Sequence, residues 1–189
     1  MSLSHGKWTI LIGLAILTLA TRQTAESSQN QMRESPPQET ALTTSNPRSS
    51  VRGWYLWMAA KAPKYVMDSK IRADDPIERG VDCSRLHYLC HTRAGLPFRR
   101  VTSREIALGL GGWIGSDVSI DQADETDLTF WTWKNRPDRP FGHTGALIIH
   151  PQTGLLEVVH ASQSRGKTVH EPLQGILLRD LVKVRHLKY

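Results

Sequence analysis

Cys83 is the residue whose type and position point most directly to chemistry. It follows Asp82 and precedes Ser84, at the start of a run that predicts a helix over residues 83–94. Backbone N–H groups at a helix start favour negative charge, so we expect the pKa of this thiol to fall and more of the sulfur to be thiolate. A histidine that meets the thiol in space would complete a nucleophile–base pair. His143 heads a strand-like run further along the chain and is the predicted base.

A second histidine is predicted to lie beside His143. The turn signal at residues 151–154 separates two strand-like runs and predicts a hairpin. The hairpin brings His160, at the end of the returning strand, alongside His143. A polar group in that place would hold the His143 imidazole in one tautomer.

Four short blocks carry these residues in a fixed order. They read Asp82-Cys83-Ser84-Arg85, Thr126-Asp127-Leu128-Thr129-Phe130, His143-Thr144-Gly145-Ala146-Leu147 and His160-Ala161-Ser162. Together they resemble the signature of the NlpC-type cell-wall cysteine peptidases, a papain-like family, whose blocks run Asp-Cys-Ser-Gly, Gly-Asp-Leu-x-Phe, His-Val-Gly-Ile-Tyr and His-Ala. The resemblance covers residues 60–165. The chain departs from the pattern at Arg85, where the family has glycine, and in lacking the upstream Tyr-x-x-Gly-Gly segment.

The resemblance implies a cysteine endopeptidase that hydrolyses amide bonds in the stem peptides of peptidoglycan. It implies Cys83 as nucleophile, His143 as base and His160 as the third member of the site. Asp82 is expected to be a structural acid that also caps the helix. The backbone N–H of Cys83, with the N–H or hydroxyl of Ser84, is expected to form an oxyanion hole.

No metal and no cofactor are predicted. The separations between His143, His150, His160 and His170 match none of the compact zinc patterns. His87, His91 and His170 are expected to be surface residues. Two alternatives to the peptidase remain open: an amidase or acyltransferase on the same Cys–His scaffold, and a catalytically silent module that binds the cell wall.

The order of the predicted elements indicates an α+β fold, with N-terminal helices packed on an antiparallel sheet. The papain-like core of the resembled family has the same order. Trp131 and Trp133 are expected on one face of the sheet, either in the core or in the wall of a groove. The predicted helices are Arg52–Met67, Cys83–Ala94 and Arg104–Leu110, and the predicted strands are Leu128–Trp133, His143–His150, Leu155–His160, Thr168–His170 and Leu181–Leu187.

The N-terminal fifty residues differ in character from the rest. Lys7 precedes an apolar run from Trp8 to Ala20, which is typical of a signal peptide over residues 1–20; an uncleaved membrane anchor is the alternative. Residues 21–50 are rich in Gln, Ser, Thr, Glu and Pro and are predicted to be a disordered linker. Residues 51–189 would then form the peptidase domain. We expect export to the periplasm or cell envelope, with membrane contact only through the N-terminal segment.

The net charge of the chain bears on its partners, and the spacing of its two cysteines bears on disulfide formation. The formal net charge is +6, which suits either a solvated surface or attraction to an anionic polymer, and no nucleic-acid motif accompanies it. Peptidoglycan is the partner that the resemblance implies. Cys83 and Cys90 are seven positions apart on one predicted helix. That spacing separates their Cα atoms by about 10 Å, beyond the reach of a disulfide, so Cys90 is expected in the core.

Overall fold

The structure is a computed structural model that describes residues 36, 46–67, 70–112, 114–132, 138 and 140–189. The account below concerns the compact unit from Pro37 to Tyr189. The predicted signal peptide, most of the predicted linker and Trp133 lie outside the described residues. Within the described part of the chain, no helix has both the length and the apolar character needed to cross a bilayer.

Helices come first and most strands follow, as the sequence predicted. The described residues form helices α1 (Pro47–Lys61), α2 (Cys83–Arg93), α3 (Ser103–Ala107) and α4 (Ile176–Arg179). The strands are β1 (Ile114–Val118), β2 (Leu128–Trp131), β3 (His143–Ile149), β4 (Leu156–Ser162), β5 (Lys167–Pro172) and β6 (Leu181–Leu187). Short 3₁₀ turns lie at Ile77–Arg79 and Ile120–Gln122.

Helix α1 begins earlier in the chain than predicted. Asn46 caps it by accepting a hydrogen bond from the Arg48 N–H, and Pro47 occupies the first turn, where its missing N–H costs nothing. The predicted start at Arg52 and the predicted linker boundary at residue 50 were therefore wrong, because the polar sequence before Arg52 supplies a helix cap. The helix ends at Lys61, where Ala62 adopts a left-handed conformation.

The described strands form one antiparallel sheet in the order β1-β6-β2-β3-β4-β5. The sequence did not predict β1, an edge strand whose residues Ile114–Val118 carry no clean alternation. It did predict β6 with its observed bounds. Strands β2 and β3 lie at the centre of the sheet, and β3, which begins at His143, packs against α2.

Apolar residues pack on both faces of the sheet. One face meets α1 and α2, and its core includes Tyr55, Met58, Leu86, Ile148 and Val159. The other face carries a smaller cluster of Trp131, Leu147, Val158, Leu173 and Val184. This arrangement of helices on an antiparallel sheet confirms the predicted α+β, papain-like fold.

Candidate functional site

Asp82 starts the helix that carries Cys83. One of its carboxylate oxygens accepts a hydrogen bond from the Arg85 N–H at 2.7 Å and another from the Ser84 hydroxyl at 2.7 Å. Its other oxygen pairs with Arg100 at 2.6 Å, and Arg100 also donates to Ser84 Oγ at 2.6 Å. Asp82 is therefore a buried helix cap held by an arginine. The Ser84 hydroxyl already donates to Asp82, which leaves its backbone N–H as the group able to face a substrate.

Arg85 stands where the resembled family has glycine, and its side chain is fully buried. The guanidinium donates to the backbone carbonyls of Gly80 and Asp75, in the loop that precedes α2. Burial, followed by the nearby charge of Arg100, lowers the pKa of Arg85. Arg85 thus ties the loop to the helix and does not line the cavity beside Cys83.

The Cys83 sulfur is more enclosed than a reactive thiol at an open helix start. Cys83 is 7% exposed, and burial raises the pKa of its thiol to about 12, with the adjacent Asp82 carboxylate adding to the rise. Hydrogen bonds from the backbone N–H groups of Thr144, Ser84 and Cys83 act in the opposite direction but are outweighed. The expected fall in the thiol pKa was therefore wrong, because desolvation of the thiolate exceeds the effect of the helix start.

A cavity of about 340 Å³ opens beside Cys83. Its size lies in the range of small-molecule sites, about 300–1,000 Å³. The segment Thr102–Arg104 forms one wall and the segment Pro140–Gly142 another, with Tyr65 and Met67 at the rim. The two walls are joined by a hydrogen bond from Ser103 Oγ to the Phe141 carbonyl at 2.8 Å. The cavity therefore reaches from the start of α2 to the residue before His143.

His143 and His160 lie side by side, as the predicted hairpin requires. His143 Nε2 is 2.7 Å from His160 Nδ1, and the two ring centroids are 5.0 Å apart. In the observed register of this hairpin, Ala146 pairs with Val159. Continuing that register sets His160 opposite Gly145 and diagonal to His143. A Cβ at position 145 would lie 2.6 Å from Val158 Cγ2 and 3.1 Å from His160 Cβ, so the close approach of β3 to β4 here requires glycine.

Both histidines are held neutral by their surroundings. Burial, followed by the neighbouring His160, lowers the pKa of His143 to about 3. Burial also lowers the pKa of His160, although a hydrogen bond and the charge of Glu171 raise it in part. The Trp131 ring packs 5.5 Å from the His143 ring and 6.2 Å from the His160 ring. Trp131 is thus a core residue that also encloses this pair.

Thr144 connects the thiol to the histidine strand. Its backbone N–H reaches the Cys83 sulfur, and it directly follows His143 in β3. Its hydroxyl meets His87 Nε2 at 3.0 Å, while His87 Nδ1 meets the Tyr55 hydroxyl at 2.5 Å. His87 is four residues after Cys83, so both lie on one side of α2. The described contacts therefore bind the start of α2 to the start of β3, and a direct contact between Cys83 and His143 stays a prediction.

His87 and His91 were predicted at the surface, and that prediction was wrong. Both are fully buried, His91 with hydrogen bonds to the His87 carbonyl at 2.8 Å and to the Tyr189 hydroxyl at 3.0 Å. Burial lowers the pKa of His91 to about 4 and that of His87 well below its ordinary value. Their hydrogen-bond partners lie far away in the sequence. Without those partners, a polar residue on the buried side of α2 is predicted to be exposed.

One contact of the histidine pair was missed altogether. Glu171 on β5 places Oε1 2.8 Å from His160 Nε2. Sequence alone offered no signal for it, because the pairing of β4 with β5 sets which residue meets His160. Cys90 is fully buried in the core, as predicted. Among the described residues, no group of His, Cys, Asp or Glu side chains is arranged to hold a metal ion.

The fold of this chain matches those of solved proteins, whereas no family model and no curated protein matches its sequence. An NLP/P60-family protein similar to lipoprotein from Staphylococcus aureus matches with a TM-score of 0.56 and 16% identity, over 79% of this chain and 45% of that protein. The peptidoglycan hydrolase RipB from Mycobacterium tuberculosis matches with a TM-score of 0.50 and 17% identity, over 98% of this chain and 93% of RipB. The chain has the NlpC/P60 fold.

The NlpC/P60 fold is shared by proteins of differing activity. RipD from M. tuberculosis, described as a non-catalytic NlpC/P60 domain protein adapted to peptidoglycan binding, matches with a TM-score of 0.50 and 14% identity, over 76% of this chain and 93% of RipD. The match to the staphylococcal protein spans less than half of that protein's length. The fold confirms the predicted architecture, and the choice between hydrolysis and binding depends on the site itself.

Proposed function

We propose that the protein is an exported cysteine peptidase that hydrolyses amide bonds in peptidoglycan stem peptides, with Cys83, His143 and His160 at its centre. The observation that supports it best is the junction at Thr144. Its N–H meets the Cys83 sulfur, and the preceding residue, His143, is hydrogen-bonded to His160. The fold shared with RipB, a peptidoglycan hydrolase, supports the choice of substrate.

In this mechanism His143 acts first as base and then as acid. The imidazole takes the thiol proton while the sulfur attacks the amide carbonyl, and it later protonates the leaving amine. A water molecule then hydrolyses the thioester and releases the free cysteine. The backbone N–H groups of Cys83 and Ser84, which face the sulfur, would also stabilise the oxyanion, since the first turn of a helix leaves these donors without partners inside the helix.

The thiol of Cys83 and the imidazoles of His143 and His160 are all neutral in the resting protein. The pKa of Cys83 is raised to about 12 and that of His143 is lowered to about 3, so neither group is charged near pH 7. Proton transfer must then accompany attack on the substrate, which is general-base catalysis without a preformed ion pair. A peptide that fills the cavity beside Cys83 would exclude water from the thiol, which favours such a step.

Digestion of purified peptidoglycan tests the proposal. The full chain and its Cys83→Ala variant are incubated with peptidoglycan, and the released fragments are analysed by mass spectrometry and amine labelling. We expect stem-peptide fragments with new amino termini from the wild type and none from Cys83→Ala. Fragments released equally by both proteins would contradict the assignment of Cys83.

A second function is favoured by one observation. A thiol whose pKa is raised to about 12 suits a protein that binds peptidoglycan without cutting it, as RipD is described to do. Co-sedimentation with peptidoglycan separates the two functions. A wild-type protein that co-sediments as strongly as Cys83→Ala and releases no fragment would be a binding module.

A further inference from the structure

Glu171 extends the pair of histidines into a line of three hydrogen-bonded groups. Its Oε1 atom lies 2.8 Å from His160 Nε2, and His160 Nδ1 lies 2.7 Å from His143 Nε2. The pairing of Val158 with Glu171 and of His160 with Val169 makes Glu171 the diagonal neighbour of His160 on the same sheet face. The line thus crosses β3, β4 and β5, and Glu171 lies beyond the segment that carries the family resemblance.

The chemistry of these three groups fixes the direction of each hydrogen bond. A carboxylate at neutral pH carries no proton and can only accept. His160 must therefore donate from Nε2, and a neutral imidazole has a single N–H, so its Nδ1 can only accept. His143 must then donate from Nε2, which leaves the lone pair on His143 Nδ1. Both rings are neutral near pH 7, because burial lowers both pKa values.

We propose that Glu171 is a positioning residue that sets the tautomers of His160 and His143, and so keeps His143 Nδ1 free to accept a proton. This inference rests on the proposed function, in which that proton comes from Cys83. Glu171 touches neither the sulfur nor the cavity, and it acts only through His160. Without the carboxylate, His160 would be free to carry its proton on Nδ1 and donate it to His143. The direction of the hydrogen bond between the two rings would then be reversed.

The surroundings of Glu171 are suited to this task. His160 is 4% exposed, so no bulk water competes for its Nε2 atom. The Trp131 ring packs against the His160 ring, and the backbone of β3 at Gly145 lies close to the His160 Cβ. Arg165 lies 3.8 Å from the other carboxylate oxygen of Glu171, so that oxygen faces a positive charge.

A second histidine–glutamate contact on the same two strands offers a matched control. His170 Nε2 lies 2.7 Å from Glu157 Oε2, and the alternation of the strands sets this pair on the opposite sheet face from His160 and Glu171. Glu157→Gln therefore breaks a contact of the same chemistry and length without touching the line of histidines.

NMR of ¹⁵N-histidine-labelled full-length protein at pH 7 measures the tautomers directly. In the wild type we expect Nε2–H tautomers for both His143 and His160, seen as one protonated and one bare nitrogen shift per ring. Glu171→Gln should give His160 a mixture of tautomers, because an amide both donates and accepts. Glu157→Gln should leave both rings unchanged. A wild-type Nδ1–H tautomer at either ring, or an unchanged spectrum in Glu171→Gln, would overturn the inference.

Turnover supplies the second measurement. Glu171→Gln should lower kcat on stem peptides by about tenfold or more with KM unchanged, because a wrong tautomer of the histidine that takes the proton slows the chemical step. Glu157→Gln should keep the wild-type kcat. The wild-type spectrum tests the tautomers even where Glu171→Gln fails to fold. If the wild type shows the expected tautomers and cuts no peptide, the proposed function fails while the assignment to Glu171 holds.

Discussion

Replacing Arg85 by alanine should destabilise the fold and leave the chemistry in place. The buried guanidinium donates to the carbonyls of Gly80 and Asp75. A hydrogen bond from a charged donor contributes about 1.5–3 kcal/mol, so the two together contribute about 3–6 kcal/mol. Removing the arginine also ends the cost of burying its charge, which places the net loss near the lower value, about 3 kcal/mol.

Urea unfolding followed by circular dichroism measures this loss. In a thermal melt, each kcal/mol of unfolding free energy corresponds to about 2–4 °C. Arg85→Ala should therefore melt about 6–12 °C below the wild type. Arg79→Ala is the matched control, because Arg79 lies in the same loop and pairs with Asp75 at 2.9 Å while its side chain is 59% exposed. That change should cost less than about 0.5 kcal/mol. A stable Arg85→Ala variant that has lost turnover would refute the reasoning, since Arg85 would then act on the site.

Substitutions at five residues probe the site and its surroundings. Cys83→Ala should abolish turnover and keep the melting temperature, whereas Cys90→Ala should keep turnover and lose about 1 kcal/mol of unfolding free energy. His143→Gln should be inactive, because no other group takes the thiol proton. His160→Gln should retain more activity than His160→Ala in the same peptide assay, because a side-chain carbonyl can still accept from His143. Burial lowers the pKa of His91 to about 4, so below about pH 6.5 the unfolded chain binds a proton that the folded chain does not. Stability should fall as pH drops from about 6.5 to about 4, and urea unfolding of His91→Gln across that range should show a slope smaller by about one proton.

The parts of the site that rest on local sequence could be predicted. Asp82 before Cys83 is a helix-capping pattern, and the observed helix begins at Cys83. The turn signal between β3 and β4 predicted that His143 and His160 lie close together, and their facing ring nitrogens are 2.7 Å apart. Each of these features depends on residues close together in the chain, or on one hairpin.

The missing parts depend on contacts between distant segments. His87 meets Thr144, fifty-seven residues away, and His91 meets Tyr189, ninety-eight residues away. A histidine or arginine on a helix predicts a solvent-exposed position unless its partners are known, and these partners become visible only when the helices are placed on the sheet. Glu171 was missed for the same reason, because a shift of β5 by one residue would turn it to the other face.

The three N–H groups around Cys83 show how a raised thiol pKa and catalysis can coexist. In the free protein, the donors of Thr144, Ser84 and Cys83 do not overcome burial and the charge of Asp82, so the thiol keeps its proton. In the proposed mechanism, negative charge develops on the carbonyl oxygen as the sulfur attacks, and the N–H groups of Cys83 and Ser84 would donate to that oxygen. Fixed donors of this kind stabilise charge where it develops, without any rearrangement at the moment of reaction. On the proposed function, the site therefore favours the transition state over a free thiolate, and it leaves the resting thiol protonated until a peptide fills the cavity.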